Sequence, residues 1–203
     1  SISTDVQTEK SLTSMCGIIG VYSQYPLESG EVEGLYRGLR VLKPRGPDDT
    51  QSYREGNLLL GHCRLKIIDR PGGVQPWKGE DGVLVYNGEI YKFESERHYL
   101  GLSECGDTEV LGRALEADVS SALERLRGMF AFAYYDRSGD KLILARDHVG
   151  IKPLYYYEEP GRVYFGSSLQ SILSFPRVGR QLNEAAVAHY LATVRTNLGE
   201  QTL

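Results

Sequence analysis

The chain has 203 residues, a formal net charge of -4, 41% hydrophobic and 25% charged residues. Those figures describe a globular protein of one domain, or one domain plus an appendage. They give no electrostatic case for nucleic acid or an anionic membrane, and no apolar run approaches the ~18 residues of a membrane span. The three cysteines (Cys16, Cys63, Cys105) form no CxxC pair and the four histidines do not cluster. Neither a disulfide frame nor a metal site is expected, and the thiols read as reduced in a cytoplasmic protein.

Residues 1–14 are polar and aperiodic and lack the basic start and apolar core of a signal peptide. They read as a leader, propeptide or extension. Met15-Cys16-Gly17-Ile18-Ile19-Gly20 follows. If Met15 is removed, Cys16 carries a thiol and a free α-amine on one residue. The amine titrates near 7.7–8.0 and the thiol near 8.5, so the two can trade a proton. Nucleophile and base then sit together with no histidine required. A small buried cysteine on a strand is the plainer reading of the same residues.

Residues 17–23 read as a buried strand. Apolar residues at Val32, Leu35, Tyr36, Leu39 and Leu42 predict a helix over 31–42, ended by Lys43-Pro44. Arg45-Gly46-Pro47-Asp48-Asp49 is a stiff loop, and its arginine fork can take a carboxylate. Two short strands are expected at 58–61 and 64–69. A β-branched, aromatic strand at 83–86 runs into Asn87-Gly88-Glu89-Ile90-Tyr91. Asn-Gly is a hairpin signal. Alternatively, the Asn87 amide and a glycine N–H aim at one point, as an oxyanion hole requires. Asp107 is a natural N-cap for a helix through about 116, and a second helix is expected over 119–126. Residues 129–136 read as a strand buried on both faces. Further strands fall at 141–147, 154–157 and 162–165, with helices at 168–174 and 183–193. Meandering strands with helices between them predict antiparallel sheets under helical layers, an α+β fold.

The motifs taken together resemble one family. Met-Cys-Gly-Ile at 15–18, Arg-Gly-Pro-Asp-Asp at 45–49, Gly-His-x-Arg-Leu-x-Ile-Ile-Asp at 61–69 and Gln-Pro at 75–76 occur in order. Asn-Gly-Glu-Ile-Tyr at 87–91, Asp-Thr-Glu-Val at 107–110 and Gly-Met-Phe-Ala-Phe-Ala at 128–133 follow. Ala-Arg-Asp at 145–147 and Gly-Ile-Lys-Pro-Leu-Tyr-Tyr at 150–156 complete the series. The chain resembles the class II glutamine amidotransferase domain of glutamine-hydrolysing asparagine synthetases. The resemblance implies a four-layer αββα sandwich of two antiparallel sheets, the N-terminal nucleophile hydrolase fold. It implies that Cys16 attacks the side-chain amide of L-glutamine, that Asn87 and Gly88 form the oxyanion hole, that Arg45 holds the substrate carboxylate and that Glu89 and Asp107 hold its ammonium group. Gly106 stands before Asp107 where the family commonly has serine.

On this reading, residues 15–180 are the amidotransferase domain and residues 181–203 begin a connection to a synthetase domain that would receive ammonia. The pyrophosphate loop of such a domain does not occur in the sequence. No cofactor is expected in this chain; ATP and Mg are implied only for the synthetase part. A homodimer is left open. Two other readings stand beside the enzyme: a non-hydrolysing support domain, as in β-lactam synthetases, and a glutamine-binding sensor. A leader left in place suits the support reading. The joint presence of Cys16, Arg45, Asn87 and Asp107 suits the enzyme.

Overall fold

The computed structural model describes residues 15–65 and 73–194, and the backbone of two strand pieces beyond them, β10 (Asn197–Leu198) and β11 (Gln201–Thr202). The expectations for 1–14, and for strand at 66–69, fall outside the described residues. In chain order come β1 (Gly17–Ser23), α1 (Ser29–Leu42), β2 (Asp49–Glu55), β3 (Leu58–Arg64), β4 (Trp77–Lys78) and β5 (Gly82–Ile90). Then follow α2 (Phe93–Tyr99), α3 (Asp107–Ala117), α4 (Val119–Arg125), β6 (Gly128–Asp136), β7 (Lys141–Arg146), β8 (Tyr155–Glu159), β9 (Arg162–Gly166), α5 (Leu169–Ile172) and α6 (Glu184–Thr193).

Strands pair antiparallel into one sheet ordered β2-β3-β1-β9-β8 and another ordered β4-β5-β6-β7. Side-chain alternation with period two stacks them. Ile18, Leu58, Leu60 and Phe165 of the first sheet meet Val83, Val85 and Ala133 of the second in a layer between the sheets. The opposite face of the first sheet, with Ile19, Val21 and Leu59, packs on Leu35, Leu39 and Leu42 of α1 and on Ile172 and Phe175. The outer face of the second sheet, with Leu84, Tyr86, Phe130, Phe132 and Tyr134, packs on Val110, Leu111, Ala114 and Leu115 of α3. Three cores therefore separate four layers, helix–sheet–sheet–helix, as the sequence led one to expect. A fully buried Leu, Ile, Val or Phe contributes about 1.5–3 kcal/mol. A one-residue slip of β6 would swap its aromatic face for its alanine face and overfill the inter-sheet layer.

Several local expectations are corrected. α1 begins two residues early, closed by reciprocal Glu28 and Glu31 bonds. Its buried stripe includes Gly34 and Gly38, whereas Tyr36 is half exposed. A Cβ on Gly38 would lie 2.1 Å from Ile19 Cδ1, so the helix sits closer to β1 than a side chain allows. The break expected between 61 and 64 does not occur: His62 and Cys63 continue the pairing of β3 with β1 and β2 as far as Arg64. β2 carries no apolar alternation in sequence because it is a polar edge strand; α2 and β4 are too short to show a periodicity. Asn87-Gly88 makes no hairpin turn: both residues pair within β5 against Ala131 and Phe130 of β6.

Candidate active site

Cys16 sits immediately before β1, at the end of the first sheet where β3 also ends. Its Sγ lies 3.8 Å from the Leu65 carbonyl oxygen and accepts from the Leu65 N–H at 3.4 Å. Burial pushes the thiol up from its ordinary value; the Leu65 N–H and the charges of Arg64 and Lys152 pull the other way without prevailing. As an internal residue, Cys16 is a protonated thiol in want of a base.

A cavity of about 250 Å³ opens beside it, at the small end of ligand sites and suited to a metabolite of amino-acid size. Met15, Cys16, Asn87, Gly88, Glu89 and Asp107 all line it. The structure thus brings five of the six expected site residues to one hollow. The Asn87 side chain comes from the interior of β5 and is 2% exposed. Its Nδ2 is buried with no hydrogen-bond partner among the described residues. Such an orphan donor costs about 1–3 kcal/mol, which a fold tolerates where the donor awaits a ligand oxygen. Gly88 is forced by its neighbour strand: a Cβ there would lie 2.2 Å from the Met129 carbonyl oxygen and 2.7 Å from Phe130 Cα.

Glu89 is exposed at the end of β5 and Asp107 is half-buried at the start of α3. Asp107 is not the N-cap; Gly106 occupies that position and makes no side-chain cap. The Asp107 carboxylate is turned to the cavity and accepts from the Tyr86 hydroxyl at 3.0 Å. Tyr86 thereby supplies the support that Gly106 cannot. Burial, with Asp107 beside it, pushes the Tyr86 phenol well above its ordinary value, so it stays a donor at neutral pH.

Arg45 is the exception. It does not line the cavity. It is half-buried, close enough to Cys16 and Tyr155 for their charges to act on it, and burial lowers its pKa. Its Nε and Nη2 are buried without a hydrogen-bond partner among the described residues. An unsatisfied guanidinium of this kind is a carboxylate receptor by chemistry.

Sequence reasoning gave no role to three further groups here. Gln75 Oε1 accepts from the Tyr86 backbone N–H at 2.6 Å. The His62 ring hydrogen-bonds the Tyr86 backbone from the other sheet, and burial, with Arg64 nearby, lowers its pKa to about 4. Both fix the strand just before Asn87. Lys152, 9% exposed, lines the cavity and donates from Nζ to Met15 Sδ at 3.2 Å. His62, Gln75 and Lys152 all belong to the family motifs, but no sequence spacing points from them to Cys16. Among the described residues no three His, Cys, Asp or Glu side chains converge as a metal site, and no helix is long and apolar enough to cross a membrane.

The chain is similar to known proteins over most of its length. A family model described as a glutamine amidotransferase domain matches residues 15–203. Asparagine synthetase [glutamine-hydrolyzing] 3 of Bacillus subtilis is 33% identical over 183 residues, covering 86% of this chain and 30% of its own length. Asparagine synthetase B [glutamine-hydrolyzing] of Escherichia coli is 35% identical over 187 residues, covering 87% and 33%. The amidase chry2 of Gibberella zeae is 35% identical over 182 residues, covering 79% and 27%. The chain thus spans about a third of the length of these curated relatives. Among solved structures, a glutamine phosphoribosylpyrophosphate amidotransferase from B. subtilis superposes with a TM-score of 0.62 at 18% identity, covering 79% of this chain and 43% of that one. That likeness concerns the fold.

Proposed function

Because this chain belongs to the glutamine amidotransferase domain family, we propose that it hydrolyses L-glutamine through Cys16 and passes the ammonia to a synthetase domain or subunit that amidates a carboxylate. The single observation that carries the reading is the meeting of Cys16, the orphan Asn87 Nδ2, Gly88, Glu89 and Asp107 on one small cavity. Glutamine is a zwitterion with an amide, and the residue types answer each part. Glu89 and Asp107 offer two carboxylates to the ammonium group. Arg45, beside the cavity rather than in its lining, supplies the guanidinium for the carboxylate.

Cys16, freed of residues 1–15, attacks the amide carbon. Its thiol proton passes to its own α-amine. The oxyanion of the tetrahedral intermediate is taken by Asn87 Nδ2 and the Gly88 N–H. The protonated amine then gives its proton to the departing nitrogen, which leaves as ammonia. Water attacks the γ-glutamyl thioester, and glutamate and the free thiol result. The Met15 side chain lines the same cavity, so a leader left in place occupies the site as well as consuming the base. The relatives' names support a synthetase as the ammonia acceptor.

The test compares glutamate release by protein beginning at Cys16 with protein retaining residues 1–15. A missing general base typically costs 10²- to 10⁴-fold, and a loss of that size is expected from the leader. Equal turnover with Met15 shown intact by mass spectrometry would overturn the N-terminal mechanism. Binding of glutamine without turnover in both forms would favour the support or sensor reading.

A further inference from the structure

Lys152 is a lysine ammonium in an unusual place. It is 9% exposed, and among the described residues it meets no carboxylate within ion-pair distance. Its Nζ is directed instead at the Met15 thioether, a weak acceptor on the residue next to the nucleophile. A buried charge so poorly paired is costly.

The backbone holding it there is closely fixed. Asp147, 5% exposed, directly follows β7 and gathers the following loop onto its carboxylate. Oδ2 accepts from the N–H groups of Phe130 and Lys152, and Oδ1 from those of Val149 and Ile151. Arg146 Nε closes the other side, donating to the Lys152 carbonyl at 2.8 Å. Gly-Ile-Lys-Pro is therefore a rigid turn, and its lysine reaches the residue that precedes the nucleophile.

We infer that Lys152 is a positioning residue for catalysis, its buried ammonium holding the amine–thiol pair of an N-terminal Cys16 in the form that has lost a proton. The inference rests on the N-terminal nucleophile reading. A fixed cation disfavours a second positive charge on the new α-amine and favours the thiolate, and both effects push the pair toward its reactive state. The other charged groups around Cys16 are Arg64 from β3, Glu89 from β5, Asp107 from α3 and Arg45 from the loop after α1. Arg64 acts in the same sense as Lys152. Glu89 and Asp107 oppose it while empty, and a bound ammonium group offsets them. Lys152 alone among these cations is buried, with its Nζ on the Met15 thioether and close enough to Cys16 for its charge to act on the thiol.

The test uses protein beginning at Cys16, with Lys152→Met and Lys152→Gln as neutral variants and Lys152→Arg to restore the charge. Two quantities are measured from pH 5 to 10: kcat/KM for glutamine hydrolysis and the rate of Cys16 alkylation by iodoacetamide. A neighbouring opposite or like charge moves a pKa by about 1–3 units. The neutral variants should move the acid limb of both profiles up by about one unit, and Lys152→Arg should move it back. The loss should be about tenfold below neutrality and vanish on the alkaline plateau. Profiles that keep their midpoint in a folded neutral variant would overturn the assignment. So would a raised KM with an unmoved limb, which would make Lys152 a substrate ligand. Alkylation reads the pair without turnover, so an enzyme that fails to hydrolyse glutamine but still shows the shift separates the failure of the function from that of the inference.

Discussion

Asn87 shows how one side chain can be read twice. In sequence it begins the strongest short hairpin signal; in the fold it is an interior residue of β5 whose Nδ2 has no partner among the described residues. The donor is held in place before any substrate arrives, because His62 and Gln75 fasten the Tyr86 backbone just ahead of it. Preorganised donors of this kind lower kcat by about 10²–10³ when removed. Asn87→Ala should therefore cut kcat for glutamine hydrolysis by about that factor with KM nearly unchanged, and leave the rate of Cys16 alkylation as it was. A rise in KM with kcat preserved would place Asn87 in ground-state binding instead. Cys63, by contrast, is buried against Leu39 and Thr50 and takes no part in the cavity.

The element that controls the far wall of the site is the turn after β7. Asp147 is buried, which alone would raise its pKa, yet its accepted N–H bonds prevail and hold it below the usual carboxylate range. Hydrogen bonds to a charged group contribute about 1.5–3 kcal/mol each, and the set is not additive. Asp147→Asn presents a donor to two N–H groups and should cost about 2–4 kcal/mol in urea denaturation at pH 7. The sign of the pH effect follows from the direction of the shift. A depressed carboxyl contributes stability above its unfolded pKa of ~3.9 and loses it as pH falls through the lower folded value. The gap between wild type and Asp147→Asn should therefore begin to narrow as pH falls below about 4 and go on narrowing with further acidification. A gap of the same size at pH 5 and pH 3 would mean that shape, rather than charge, holds the turn.

For the whole molecule, the junction between the sheets is the point of acid weakness. His62 lies on β3, facing the second sheet, 1% exposed, with Nε2 lacking a partner among the described residues. Its pKa is lowered from 6.5 to about 4, chiefly by burial. The unfolded chain then binds a proton between those values that the folded chain does not. Stability rises with pH across that window and is lost as pH falls through it, by up to about 3 kcal/mol at about 1.4 kcal/mol per unit. Urea denaturation of wild type between pH 7 and 4 should show that slope, and His62→Gln should flatten it. An equal slope in both proteins would assign the acid weakness elsewhere. Asp147 acts below this window, so the two effects separate on one pH series.

Much of this molecule follows from its residues in order. Strong periodicity placed β1, α1, α3, α4, β6, β7 and β9 because each has an apolar face long enough to register against a core. The ordered motifs carried a family resemblance, and it was that resemblance which implied a glutamine site built from Cys16, Arg45, Asn87, Gly88, Glu89 and Asp107. Polar β2 and the short α2 and β4 were silent, since their stability comes from neighbours rather than from their own pattern. Tertiary structure alone decided that Asn87-Gly88 stays in a strand, because β6 pairs with it. It also decided that Asp107 turns from its helix end to Tyr86, and that Lys152, remote in sequence, reaches Met15. Those outcomes depend on which groups the two sheets bring within hydrogen-bonding distance, and such distances are properties of packing rather than of sequence spacing.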